Sequence, residues 1–127
     1  MSIKYKPVKM CQPGVKGGGN YKFYPRIHKR EIIDLRKLSE FVSLQSTVSY
    51  ADVSATLVSL IEFIPMFLLD NKSIDLGDLG ILSINLRSVA SDTGEEVNNS
   101  KIKGLKVSYR PSNILKKRLE DAEFTKT

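Results

Sequence analysis

LSINLR, at residues 82–87, and LKVSYR, at residues 105–110, are the two stretches that decide the fold. In each of them apolar and polar side chains alternate, which is the period of a strand with one buried face. Residues 91–100 between them are rich in turn formers, so the strands are predicted to pair antiparallel around a protruding connection. Alternation places three basic side chains on the outer, polar face of this pair: Arg87, Lys106 and Arg110.

Two helices are predicted ahead of these strands. Asp34 can cap a first helix that runs to about Gln45, and Ser49 with Asp52 has the form of a capping box at the start of a longer one. The second helix carries a broad apolar stripe over residues 53–68, and Pro65 within it is expected to bend it.

The remaining elements are short. IDLGDLG, at residues 74–80, predicts a short strand and a tight turn. Pro111 and Ser112 end the last strand and start a basic C-terminal helix. The expected fold class is therefore α+β, with two N-terminal helices, a three-stranded antiparallel sheet with a protruding arm, and a C-terminal helix.

Positive charge is concentrated at two places in a chain of net charge +6. Residues 1–30 carry eight basic side chains and no carboxylate, and residues 101–118 carry seven and again none. Residues 31–100 hold eleven carboxylates and only four basic residues. Such a distribution favours a polyanionic partner, although charged runs also serve as solvated faces that keep a protein soluble.

The first thirty residues differ in composition from the rest. They combine aromatic residues and prolines with the triplet Gly17-Gly18-Gly19, which predicts two extended pieces joined by a mobile loop. We therefore expect a basic N-terminal extension at residues 1–30 and a single domain at residues 31–127.

Several functional classes are disfavoured. A lone Cys11 and a single His28 offer no internal disulfide and no metal cluster, so no metal and no cofactor is expected. His28 has no identifiable catalytic partner, the Asp75 and Asp78 pair fits turn chemistry, and no catalytic residue or small-molecule substrate is assigned. No uninterrupted apolar run of span length and no apolar leader occurs, so a cytoplasmic protein without a membrane partner is expected.

Three motifs in order carry a family resemblance over roughly residues 34–121. LGDLG at residues 76–80 is similar to the Gly-Phe-Gly-Thr-Phe turn of the HU and integration host factor family. TGEE at residues 93–96 resembles the Thr-Gly-Glu-Glu that follows that family's arm tip, and YRP at residues 109–111 stands where Phe-Lys-Pro-Gly usually does. The extension further resembles HU-like proteins of the Bacteroidetes type.

The resemblance implies an HU-like histone-like protein of the bacterial nucleoid that binds and condenses double-stranded DNA. In that family an intertwined homodimer forms a saddle whose arms reach around the minor groove, and a paralogue could replace the second protomer. The phosphate contacts expected here are Arg87, Lys101, Lys103, Lys106, Arg110, Lys116 and Lys117, with Lys22, Arg26, Lys29 and Arg30 as additional candidates.

Two departures from the family pattern change which residues are expected to contact DNA. The arm, at residues 88–99, lacks the tip Pro that wedges between base pairs, and it is poor in Arg and Lys. Asn113 stands where the family commonly has a Lys. The saddle strands, the last helix and the extension are therefore expected to carry the binding.

The leading interpretation is a non-enzymatic architectural DNA-binding protein with low sequence specificity. The alternative is a structural or protein-interaction module that keeps the HU fold and the dimer but has lost DNA binding, which the acidic middle and the altered arm permit. Binding of single-stranded RNA through the tyrosines of the extension is a weaker variant.

Overall fold

The computed structural model describes residues 1–127, and its contacts divide the chain into two units. The terminal unit comprises Met1–Ile33 with Leu119–Thr127, and the central unit comprises Asp34–Arg118. The sequence pattern places a boundary at residue 30 but does not anticipate that the last nine residues join the N-terminal strands. They do so because a C-terminal strand pairs with the first strand of the chain.

A three-stranded sheet forms the terminal unit. Strand β1 (Ser2–Met10) lies in the middle, antiparallel to β2 (Lys22–Ile27). The two extended pieces predicted from the sequence are thus present, joined by a loop that contains a short 3-10 turn at Lys16–Gly18. Strand β6 (Glu123–Lys126) pairs parallel to β1 on its other side.

Two capped helices open the central unit. Helix α1 (Leu35–Gln45) begins where predicted, because the Asp34 carboxylate accepts a hydrogen bond from the backbone N–H of Lys37 at 2.8 Å. Helix α2 (Tyr50–Leu69) begins after Ser49, whose hydroxyl oxygen accepts from the backbone N–H of Asp52 at 3.2 Å. In the usual capping box, the side chain of the fourth residue accepts from the backbone N–H of the first. Here the Asp52 carboxylate accepts instead from the Ser49 hydroxyl, at 2.9 Å.

Helix α2 continues through Pro65 as one helix to Leu69, so the proline does not divide the element. No membrane span is expected from the sequence pattern, yet by length and composition alone α2 is long and apolar enough to cross a membrane. One such helix is weak support for a span, because the core helix of a soluble protein meets the same criteria.

An antiparallel sheet of three strands completes the central unit, with β4 in the middle. Its strands are β3 (Ile74–Asp75), β4 (Gly80–Ser88) and β5 (Ile102–Pro111). A 3-10 turn at Gly77–Leu79 joins β3 to β4, as the glycine spacing predicted. Helix α3 (Asn113–Glu120) follows β5 directly.

The chain by itself has almost no core. Val53 and Leu68, both in α2, are its buried hydrophobic side chains. It exposes 11143 Å² of accessible surface, whereas a compact monomer of this mass exposes about 6800 Å². Much of the apolar surface that the sequence pattern predicts to form a core is therefore exposed to solvent in a single chain.

Candidate nucleic-acid interface

The pairing of β4 with β5 separates apolar from polar side chains. Ile84 lies opposite Val107 and Leu86 opposite Leu105, so apolar residues share one face. The other face, here called the saddle face, carries Ile81, Ser83, Asn85, Arg87, Lys106, Ser108 and Arg110. The predicted alternation is confirmed, and it brings the three basic residues of the two strands to one face.

The saddle face holds one carboxylate, Asp75 of β3, which pairs with Ile81 across from Arg110. Its middle is ordered by a hydrogen bond from the Asn85 side-chain amide to the Ser108 hydroxyl oxygen at 2.9 Å. Asn85 also pairs directly with Lys106 across the strands. The neutral polar side chains therefore separate the cations and leave each of them facing solvent.

A β-bulge interrupts the alternation near the arm. Arg87 pairs with Gly104 and Ser88 pairs with Ile102, so Lys103 is an additional residue on β5 without a partner on β4. Strict alternation from Leu105 would have placed Lys103 on the apolar face. The bulge shifts the register so that Ile102, not Lys103, pairs with Ser88, and the one local signal for it is Gly104, whose φ is +148°.

Lys101 lies at the base of the arm, in a 3-10 turn at Asn99–Lys101. The Asn98 carboxamide oxygen accepts from the backbone N–H of Ser100 at 3.0 Å, and the carbonyl oxygen of Lys101 accepts from the N–H of Val89 at 2.9 Å. These bonds hold the arm base, and therefore the backbone of Lys101, at the end of the saddle strands.

The start of α3 is tied to the turn before β4. The Ser112 hydroxyl accepts from the N–H of Leu115 at 3.1 Å and donates to the carbonyl of Asp78. The Tyr109 hydroxyl donates to the carbonyl of Leu79 at 2.5 Å. These side chains, which the sequence reasoning did not single out, fix the position of the basic helix relative to β5.

Beside this junction lies a polar cleft of about 430 Å³. Arg110 and Lys116 line it together with Gly80, Ser112 and Asn113, and Asp75 is its carboxylate. The cleft is thus lined by one cation of the saddle face, Arg110, and by one cation of α3, Lys116. Lys117, the next residue on α3, is exposed but does not line it.

Gly80 is required at this junction. Its φ is +132°, and a Cβ built there would lie 2.2 Å from the carbonyl oxygen of Arg110. Only a residue without a side chain allows β4 to approach β5 this closely.

Four additional basic candidates lie in the terminal unit. Lys22 and Arg26 lie on the same face of β2, where they pair with Met10 and Lys6 of β1, respectively. Their face of the sheet also carries Lys4 and Lys6, which the sequence reasoning left out of the candidate set. Lys29 and Arg30 follow β2 outside any strand, with Lys29 at a φ of +38°.

The candidate cations form no salt bridge within the chain. The two salt bridges of the chain are Arg36 with Glu40 at 3.9 Å and Lys72 with Asp70 at 2.5 Å. None of the predicted contact residues takes part in either. An unneutralised cation is what releases condensed counterions when it meets a phosphate.

The arm is acidic at its tip. Asp92, Glu95 and Glu96 lie in or beside a 3-10 turn at Gly94–Glu96, and residues 88–100 contain neither Arg nor Lys. No group of three or more His, Cys, Asp or Glu is arranged to hold a metal ion.

Comparison with known proteins places the fold and the family. A solved structure, that of a candidate bacterial DNA-binding protein from Bacteroides vulgatus ATCC 8482, superposes with a TM-score of 0.71 at 13% sequence identity. The match covers 98% of this chain and 48% of that one, so the chain spans about half the length of that protein. At this identity the likeness concerns the fold alone. No curated protein matches the chain significantly.

The HU-HIG family is described as an HU domain fused to wHTH, Ig, or Glycine-rich motif, and its model matches residues 1–126. Because this match spans nearly the whole chain, the protein belongs to the HU-HIG family.

Proposed function

We propose that the chain binds double-stranded DNA through its phosphates, without making or breaking a covalent bond and with little sequence preference. The observation that carries this proposal is the saddle face, where Arg87, Lys106 and Arg110 take part in no salt bridge and outnumber its one carboxylate, Asp75. Family membership supports it, because the HU domain is the common part of this family. A location in the nucleoid follows from such a role.

The spacing of the cations suits a phosphate backbone. Lys106 and Arg110 are four residues apart on β5, which corresponds to about 13 Å along a strand. Their long, flexible side chains can each reach a separate phosphate from this spacing. Lys101 and Lys103 at the arm base and Lys116 and Lys117 on α3 extend the contact at both ends of the saddle face.

We further propose that two chains form an intertwined dimer with the HU-like architecture. The apolar face of β4 and β5 is open in one chain, with Val107 65% exposed, and α2 leaves Ile61 58% exposed. Contiguous exposed apolar surface of this extent marks an interface. A second copy of the chain, or a paralogue with the same helix and sheet, would cover both surfaces.

The proposed contact avoids the arm tips. Three carboxylates at a tip would be repelled by the duplex, and no Pro is present to wedge between base pairs. The protein is therefore expected to clamp phosphates along the saddle and to bend DNA less than an arm that intercalates.

Titration of a labelled duplex at two salt concentrations tests the proposal. Binding should be tighter at the lower concentration, because each neutralised phosphate releases condensed counterion. Absence of binding at both concentrations would refute DNA binding through this face.

One observation favours the alternative, a protein-interaction module that has lost DNA binding. The arm combines its acidic tip with exposed Val89 and Val97, which suit a protein partner better than a phosphate backbone. The charge-reversed variant Lys106→Glu with Arg110→Glu separates the two functions. Loss of duplex binding with an intact dimer supports the DNA-binding function, and unchanged binding argues against binding through the saddle face.

A further inference from the structure

One face of the terminal sheet is rich in aromatic residues, and no part of the proposed duplex site uses it. Strand pairing sets Lys9 opposite Phe23, Ile3 beside Phe124 and Tyr5 beside Lys126. Paired residues project from the same face, and Ile3, Tyr5 and Lys9 alternate along β1. We call this surface the aromatic face; its members are Ile3, Tyr5, Pro7, Lys9, Phe23, Pro25, Ile27, Phe124 and Lys126.

Tyr21, just before β2, extends this face. The Lys9 ammonium lies 5.4 Å from the centroid of the Tyr21 ring, and Lys9 pairs with Phe23. Tyr21 and Phe23 are two residues apart, which corresponds to about 6.6 Å along extended chain. Tyr21 and Phe23 therefore project from the same face, with the Lys9 ammonium beside the Tyr21 ring.

The rings are turned to solvent rather than to a core. Tyr21 is 64% exposed, Phe23 69% and Phe124 68%. Large aromatic side chains contribute most to stability when they are buried, so three exposed rings on one sheet point to a ligand with flat, apolar groups.

Charge decides which ligand fits. Lys9 and Lys126 are the charged residues of the aromatic face, and no carboxylate shares it. Residues 1–30 as a whole carry eight cations and no acid. A protein docking on this face would have to desolvate or pair these lysines, whereas an unpaired nucleic-acid strand offers bases to the rings and phosphates to the lysines.

We propose that the aromatic face binds single-stranded nucleic acid. Tyr21 and Phe23 stack successive bases, Phe124 provides a further stacking surface, and Lys9 and Lys126 contact the backbone phosphates. Stacking of this kind tolerates any base, so the site has little sequence preference. It is separate from the duplex-binding function proposed for the central unit.

Fluorescence anisotropy of the full chain with labelled oligo(dT) and oligo(U) of about 15 nucleotides tests the site. The pair Tyr21→Ala and Phe23→Ala should weaken binding at least about 25-fold, because each stacked base contributes roughly a 5-fold or greater factor. The conservative pair Tyr21→Phe and Phe23→Tyr should keep the affinity. Both positions are exposed, and thermal unfolding of each variant verifies the fold.

The pair Tyr21→Leu and Phe23→Leu distinguishes stacking from apolar contact. Leucine retains apolar surface but has no ring, so these variants should bind oligo(dT) and oligo(U) as weakly as the alanine pair. Equal affinity of the leucine pair and the wild type would overturn the proposal, as would failure of the wild type to bind either oligonucleotide at low salt. So would association of the chain with itself that the alanine pair abolishes while no oligonucleotide binds.

Duplex titration of the same variants separates this proposal from the proposed function. The alanine pair should bind duplex DNA as the wild type does, because neither position belongs to the proposed phosphate contacts. A wild type that binds the oligonucleotides but not duplex DNA would refute the function of the saddle face alone. A wild type that binds only duplex DNA would refute the aromatic site alone.

Discussion

Removing two saddle cations should change the salt dependence of DNA binding by a calculable amount. The variant Lys106→Ala with Arg110→Ala loses two phosphate contacts in each protomer and four in the proposed dimer. Each contact contributes about 0.9 to the slope of log K against log salt, so the slope should fall in magnitude by about 3.6. Between 50 mM and 200 mM salt, the wild type should therefore lose about 150-fold more affinity than the variant.

The measurement is fluorescence anisotropy of one labelled duplex over that range of salt. A matched control is Lys37→Ala with Lys72→Ala, which removes the same charge from positions outside the saddle face; Lys72 already pairs with Asp70 at 2.5 Å. The control should keep nearly the wild-type slope. If the saddle variant keeps that slope, the saddle face does not bind phosphates, and if the control changes equally, net charge rather than position governs binding.

Three further predictions concern the fold and its assembly. Gly80→Ala should destabilise the chain by about 1–3 kcal/mol from backbone strain alone, measured by chemical denaturation; Gly94→Ala, where an added Cβ meets nothing within 4 Å, should be close to neutral. Ser49→Ala should lower the free energy of unfolding by about 1 kcal/mol through loss of the α2 cap, and an unchanged value would show that the cap contributes nothing. Ile61→Asp should lower the dimer fraction seen by light scattering, whereas a wild type that is already monomeric would refute the dimer.

The sequence predicted those parts of the fold that depend on neighbouring residues. The caps at Asp34 and Ser49 and the alternation along β4 and β5 are local patterns, and the structure contains the elements they predict. The same alternation placed Arg87, Lys106 and Arg110 together on one face before any pairing was known. That each of these cations meets a phosphate stays a prediction.

Other features of the site depend on pairing between distant segments. The bulge that leaves Lys103 unpaired exists only when β4 and β5 are aligned, and no local pattern specifies that alignment. Ser112 and Tyr109 became part of the site because their hydroxyls reach carbonyls more than 25 residues away. Hydroxyl side chains are common at such positions, so sequence alone could not select them.

By itself, the sequence determined where the three helices and the strands of the central unit form and which face of β4 and β5 is polar, because side-chain period and capping act within a few residues. Only the tertiary structure decided that β6 pairs with β1, more than 100 residues earlier, and thereby that Phe124 and Lys126 share a face with Phe23. Four residues of strand carry too weak a local signal to be recognised, and their pairing partner is fixed by backbone hydrogen bonds that any sequence can form.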